Sequence, residues 1–211
     1  MVTVLNYGAG NLTSVCLAFE RLGETPRVIE DASQYTGGRI IFPGVGSAGS
    51  GMKGVRERGF DTLLRTAFAQ GTPILGICLG MQLLLSSSEE DGGVAGIGLI
   101  DGDVRLFDET RDRTAKIPHM GWNTVNFQSH PLFDGLEPNA AFYFVHSYFA
   151  RPTHAEDRCG VTDYCGEMFA SVIASRSLFA TQFHPERSGA AGAQLLKNFL
   201  TWEGVPCCSN V

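Results

Sequence analysis

Pro73-Ile74-Leu75-Gly76-Ile77-Cys78-Leu79-Gly80-Met81-Gln82-Leu83-Leu84-Leu85 is the stretch that decides how this chain folds. Pro73–Ile77 reads as a short buried strand, and Met81–Leu85 as the start of a helix. Between them Gly76-Ile77-Cys78-Leu79-Gly80 has the form G-x-C-x-G, a cysteine on a sharp strand-to-helix turn. So tight a turn requires flanking residues without a Cβ. It lifts the sulfur out of the sheet and sets it at a helix N-terminus, where the dipole and free amides favour a thiolate. A free cysteine can also be no more than a small buried apolar residue. The paired glycines at this position favour a nucleophile.

Outward from this turn, strands and helices alternate. Val2–Leu5 is an apolar strand, followed by a Gly8-Ala9-Gly10-Asn11 turn and a helix with Leu12, Val15, Cys16, Phe19 and Leu22 on one face, stopping at Gly23. Val28–Ile29 and Ile40–Phe42 read as buried strands. The second runs into Pro43-Gly44-Val45-Gly46, and Ser47-Ala48-Gly49-Ser50-Gly51 prolongs that loop. Asp61 opens a helix ended by Gly71. The second half is richer in strands, at Val104–Phe107, Ala141–Phe149, Met168–Ala174 and Leu178–Phe183, before a closing helix carrying Leu195, Leu196, Phe199 and Leu200. This order predicts an α/β fold: a doubly wound, mostly parallel sheet with added antiparallel strands, in one domain over residues 1–211.

Composition bounds the function. Hydrophobic residues at 44% and charged residues at 18% are an ordinary globular balance, enough for a sizeable core. The net charge of −6 and the lack of a Lys/Arg stripe argue against nucleic acid as partner. The N-terminus has no basic and long apolar segments of a secretory signal, and Pro73–Leu85 is too short to span a bilayer, so a cytosolic protein is expected. Six cysteines without a CxxC spacing suggest neither a disulfide framework nor a zinc site. Cys207 and Cys208 read as a reduced tail.

A thiol nucleophile needs a base, and the base needs a group to hold its tautomer. Thr181-Gln182-Phe183-His184-Pro185-Glu186 offers both: His184 after an apolar strand, and Glu186 two residues on. In isolation His-Pro-Glu could be an ordinary surface turn. Paired with the cysteine turn, it predicts a Cys78–His184–Glu186 triad. His130 and His154 sit in polar loops and read as solvated; His119 reads as structural or interfacial. An oxyanion would be met by the backbone N–H of Leu79 and by one from the Val45–Gly46 part of the glycine loop.

With these segments in place, the chain resembles the class I (triad) glutamine amidotransferases over essentially its whole length. Within them it is similar to the glutaminase subunits of imidazole glycerol phosphate synthase, on Tyr7-Gly8-Ala9-Gly10-Asn11-Leu12, Pro43-Gly44-Val45-Gly46, Lys116-Ile117-Pro118-His119-Met120-Gly121-Trp122-Asn123 and Tyr143-Phe144-Val145-His146-Ser147-Tyr148. The resemblance implies glutamine hydrolysis through a Cys78 thioester, without a cofactor or metal. Glutamine would be held by Gly46, Gly80, Gln82, His146, Ser147 and Tyr148. Ammonia would pass to a (β/α)8-barrel cyclase, the other half of a heterodimer that makes imidazole glycerol phosphate and aminoimidazole carboxamide ribotide in histidine biosynthesis. Asn11, Pro118, Trp122, Tyr143 and Arg187 match positions at or near that interface. Trp122 could instead be core, and Tyr143–Tyr148 a half-buried strand. Two departures stand out. Arg187 replaces a common lysine, and Ala48 replaces an aromatic residue common in the oxyanion loop. Cysteine peptidases and γ-glutamyl hydrolases share such a turn, and some relatives of this fold are scaffolds that have lost a triad member.

Overall fold

In a computed structural model, residues 1–112 and 114–204 are described. Cys207 and Cys208 fall outside them. In chain order the elements are β1 (Val2–Leu5), α1 (Leu12–Glu20), β2 (Arg27–Ile29), β3 (Arg39–Gly44), α2 (Ala48–Glu57), α3 (Phe60–Ala69), β4 (Ile74–Cys78), α4 (Leu79–Leu83), β5 (Leu85–Ser88), β6 (Val94–Ala95), β7 (Ile100–Leu106), β8 (His119–Thr124), β9 (Asn126–Phe127), β10 (Ala141–His146), β11 (Tyr148–Pro152), β12 (Arg158–Tyr164), β13 (Glu167–Ser175), β14 (Leu178–Thr181) and α5 (Gly189–Thr201).

The main sheet runs β2-β1-β3-β4-β14-β13-β11-β7-β5-β6, with β12 and β9 branching from β13. From β2 to β14 neighbours are parallel; β14–β13, β13–β11 and β11–β7 are antiparallel. Successive residues of the parallel strands face opposite ways, as the two-residue strand period demands. Ile41, Leu75 and Ile77 pack with Val15 and Phe19 of α1 and Leu195 and Phe199 of α5. Ile40, Phe42 and Ile74 pack with Met52 and Val55 of α2, Leu64 of α3, and α4. Both faces are thus covered, and the C-terminal ends of β3, β4 and β14 lie side by side, with Gly44 paired to Cys78 and Thr181 to Ile77. That edge is where doubly wound sheets place ligands.

Glycine at 80 is a packing requirement. A Cβ there would sit 1.8 Å from the Phe42 carbonyl oxygen, and one at Gly76 would sit 2.9 Å from Leu84 Cδ1 and 3.0 Å from Ala180 Cβ. The helix α4 can therefore lie directly on β3.

Several boundaries differ from expectation. α4 begins at Leu79 and ends at Leu83, because a returning segment takes the carbonyls beyond it: Ile97 N–H donates to Leu83 O (2.8 Å) and Leu99 N–H to Leu84 O (2.9 Å). The leucine run then continues as β5. Residues Ala48–Gly51 belong to helix α2 rather than to the glycine loop, which stops at Ser47. The third helix starts one residue before Asp61. Val28 is 43% exposed, since β2 is the edge of the sheet. The strand expected over Ala141–Phe149 is two strands in two sheets: β10 pairs with β8 in a separate antiparallel ribbon, and after Ser147 the chain joins the main sheet as β11.

His130 is buried rather than solvated. Its ring lies against Phe179 and Trp202, and Nδ1 accepts the Leu132 N–H at 3.1 Å. In the ribbon, His119 and His146 are cross-strand partners whose rings hydrogen-bond at 2.9 Å. Burial pushes His119 and His130 down to about 4 and His146 to about 3.

Two outcomes are expected. Gly80→Ala should cost about 1–3 kcal/mol of stability or more through the clash with β3, and so lower the urea midpoint; an unchanged midpoint would contradict that packing. Histidines held below their unfolded value near 6.5 are neutral when folded, so between there and about pH 4 the unfolded chain binds more protons. The contribution of these rings to stability should be full above pH ~6.5 and be lost as pH drops toward 4. His130→Asn, which retains a side-chain acceptor, should flatten part of that slope. Urea midpoints across the range check both, and a pH-independent midpoint would refute the burial of these rings.

Candidate active site

Cys78 closes β4 with φ 53° and ψ −108°, a left-handed conformation a non-glycine residue adopts only when its surroundings impose it. It is the N-cap residue of α4, and the first amides of that helix have no intrahelical acceptor. The side chain is buried, with Sγ 3.9 Å from the Val145 carbonyl oxygen and 3.7 Å from Gln182 Nε2.

His184 follows β14, and its backbone N–H donates to Tyr143 O at 2.9 Å, which ties the β8–β10 ribbon to the sheet edge. Ser188 reinforces the tie: its hydroxyl donates to His184 O (2.6 Å) and accepts the Tyr143 N–H (3.0 Å). The ring Nδ1 donates to Glu186 Oε1 at 2.8 Å, both side chains being 5% exposed. With Nδ1 thus engaged, Nε2 is buried without a hydrogen-bond partner. Burial works against a charged imidazole, but the Cys78 charge, followed by Glu186, outweighs it and pushes His184 up to about 10.

A cavity of about 320 Å³ opens over Cys78, lined by Val45, Gly46, Cys78, Leu79, Gln82, Glu90, Val145, His146, Ser147 and Tyr148. Gly46, at φ 111° with open space around its Cα, needs glycine for its backbone and leaves its peptide room. A smaller space behind it, about 50 Å³, is lined by Asn11, Pro43, Gly44, Val45, Val145, His184, Glu186 and Arg187 among others. Val45 and Val145 are walls of both. Gly80 is not on the cavity wall; its place is against β3.

Gln82 is buried, and its Nε2 donates to Tyr148 O (2.9 Å) and Gln182 Oε1 (3.0 Å). His146 Nδ1 shares the Tyr148 carbonyl at 2.8 Å. Because a carbonyl only accepts, His146 carries its proton on Nδ1 and receives the His119 Nδ1–H at Nε2. His119 Nε2 then accepts from Asn123 Nδ2 at 3.3 Å. His119 is thus a structural member of this chain of bonds, stacked on Tyr164 at 3.8 Å.

Trp122 is 59% exposed on the outer face of β8, beside Met120 at 62%. Its ring meets Tyr143 edge-on at 6.2 Å, and the Arg187 guanidinium covers Tyr143 at 4.7 Å. Asn11 caps α1 by accepting the Ser14 N–H. Pro118 is exposed, after a cis Ile117–Pro118 bond just before β8.

Sequence reasoning missed Glu90, Val145 and Gln182. Glu90 sits in the polar run Ser88-Glu89-Glu90-Asp91, which looks like solvated surface. In the fold, Glu90 Oε2 accepts the Ala48 N–H (2.8 Å) and Asp91 Oδ2 the Gly49 N–H (2.9 Å), capping α2 where Ser47 makes no side-chain cap. Gln182 had a usable signal, since in an extended segment it shares a face with His184.

The family model "Glutamine amidotransferase class-I" matches residues 4–202. Imidazole glycerol phosphate synthase subunit HisH of Acinetobacter baylyi is 44% identical over 204 residues, covering 95% of this chain and 98% of that protein. HisH of Chlorobaculum tepidum is 43% identical, covering 94% and 98%. Among solved structures, a glutamine amidotransferase crystal structure has TM-score 0.73 at 19% identity, covering 97% of this chain and 99% of that one. PurLQS from Thermotoga maritima has TM-score 0.75 at 20% identity, covering 94% and 96%. These structures share the fold. The near full-length matches in sequence go further: the chain belongs to the class-I glutamine amidotransferase family, among the HisH subunits of imidazole glycerol phosphate synthase.

Proposed function

We propose that this chain hydrolyses L-glutamine with the triad Cys78–His184–Glu186 and hands the ammonia to a cyclase subunit in histidine biosynthesis. The observation that carries the reading is a left-handed cysteine under a cavity of about 320 Å³, beside a buried histidine whose other nitrogen is held at 2.8 Å by a carboxylate.

The Cys78 sulfur attacks the side-chain amide carbon of glutamine. Negative charge on the oxygen is met by the Leu79 N–H and by an N–H of Val45 or Gly46, the latter peptide turning inward to serve. As the C–N bond breaks, the His184 imidazolium gives its proton to the departing nitrogen, leaving ammonia and a thioester. His184, now neutral, takes a proton from water, which attacks the thioester; the C–S bond breaks and glutamate leaves. Glu186 fixes the ring's tautomer throughout. On the cavity wall the Glu90 carboxylate binds the α-ammonium group, while Gln82 and the Ser147–Tyr148 backbone orient the substrate.

The partner is a (β/α)8-barrel cyclase in a heterodimer, docked over Trp122, Tyr143, Arg187, Asn11 and Pro118. Support comes from the family resemblance and from the exposed Met120–Trp122 face beside the triad. Among the described residues no helix is long and apolar enough to cross a membrane. Delivery by direct contact matters because ammonia free in neutral water is mostly protonated and no longer a nucleophile. The openness around Gly46 fits a free subunit of low activity, with the oxyanion loop in an unproductive orientation until the partner binds.

Glutamate release should be weak from the chain alone and rise strongly with the cyclase barrel and its nucleotide ligand. Cys78→Ala should cut the stimulated rate by roughly four orders of magnitude or more. Absence of stimulation from a well-folded chain would point to another synthase as partner; a Cys78→Ala chain with unaltered turnover would end the triad reading. Glu90→Gln keeps an oxygen for the Ala48 N–H but loses the charge, so KM for glutamine should rise roughly tenfold or more with kcat nearly constant. An unchanged KM would remove Glu90 from substrate binding.

A further inference from the structure

Gln182 is fully buried immediately behind the nucleophile, and its amide orientation is fixed by its surroundings. The fixing starts at the Tyr148 carbonyl, which can only accept and receives Gln82 Nε2 at 2.9 Å. That puts the nitrogen of Gln82 toward both Tyr148 and Gln182, so Gln182 must turn its oxygen to Gln82, at 3.0 Å. Its own nitrogen is left facing Cys78 Sγ, at 3.7 Å, an ordinary separation for an N–H donating to sulfur. A flipped amide would set nitrogen against nitrogen at Gln82 and oxygen against the sulfur.

We propose that Gln182 is a further working residue of the site: its amide donates to the Cys78 sulfur, favours the thiolate over the thiol, and through Gln82 couples the glutamine pocket to the nucleophile. The proposal rests on the glutaminase reading above. Its chemistry follows from position. Sulfur is the atom that gains charge when the proton moves to His184, and a buried donor aimed at it stabilises the charged state more than the neutral one. Gln82 lies on the cavity wall and Gln182 does not, so a ligand touching Gln82 acts on the sulfur through one side chain held at both ends. Gln182 stays in place because the backbone beneath it is clamped, its N–H donating to Ser171 O at 2.9 Å.

The test is the pH profile of Cys78 alkylation by iodoacetamide in the full-length chain, read on the Cys78 peptide by mass spectrometry. Gln182→Met fills the same space without a donor, and Gln182→Glu keeps an acceptor for Gln82 but sets a carboxylate against the sulfur. In Gln182→Met the midpoint should move to higher pH and the rate at neutral pH fall roughly tenfold; in Gln182→Glu the midpoint should move further in the same direction. In the cyclase complex, kcat should fall more than KM rises. Circular dichroism establishes that each variant is folded, and if Gln182→Met is not, the near-isosteric Gln182→Glu decides. Variant profiles identical to the parent's would overturn the role of Gln182 alone. A parent chain whose Cys78 reacts no faster than buried Cys165, and is not protected by glutamine, would instead overturn the glutaminase reading.

Discussion

The close approach of α4 to β3 is the constraint from which the site follows. With no side chain at position 80, the helix sits on the Phe42 carbonyl, and the chain has to reverse within the single residue Cys78. A left-handed cysteine costs about 1–3 kcal/mol, held in place by the parallel ladders on both sides of β4. Those ladders also set the heights of the neighbouring strand ends, so the glycine loop after β3 and His184 after β14 arrive beside the sulfur.

Burial alone does not decide what a polar group does here. His146 and His184 are both nearly inaccessible, 6% and 4% exposed. For His146 desolvation prevails: its hydrogen-bond partners, the Tyr148 carbonyl and another imidazole, supply no negative charge, and His184 nearby adds to the effect, so the ring stays uncharged. For His184 the same desolvation is outweighed by an ionisable sulfur and a carboxylate, and the ring is held charged. One imidazole is thereby held neutral in a chain of hydrogen bonds and the other held charged, and the difference lies in the neighbours rather than in depth.

Much of this could be read in the chain before any coordinates. Local rules reach far where one residue answers one requirement: glycine where a Cβ would strike a backbone, cysteine between a strand and a helix, and apolar alternation in strands covered on both faces. They fail where a distant segment intervenes. The leucines after Gln82 read as a continuing helix because nothing local reveals that Ile97 and Leu99 return to take their carbonyls. His130 reads as a loop residue because its aromatic neighbours lie about fifty and seventy positions away. Glu90 has the look of a solvated acid until the N-terminus of α2 is set against it. The break of one apolar stretch into β10 and β11 at Ser147 is hidden because Tyr148 and Phe149 prolong the aromatic run, although in the fold β10 alternates while Phe149 and Ala150 are both buried.

That division at Ser147 has an evolutionary consequence. The ribbon β8–β10 alternates strictly: His119 points inward to the relay, whereas Met120 and Trp122 point out. Met120 and Trp122 can be exchanged while the inward register is preserved; Val145, on the outward set of β10, is different because it walls the cavity. A lineage can therefore revise the face at Met120 and Trp122 without disturbing the buried histidine pair beneath it.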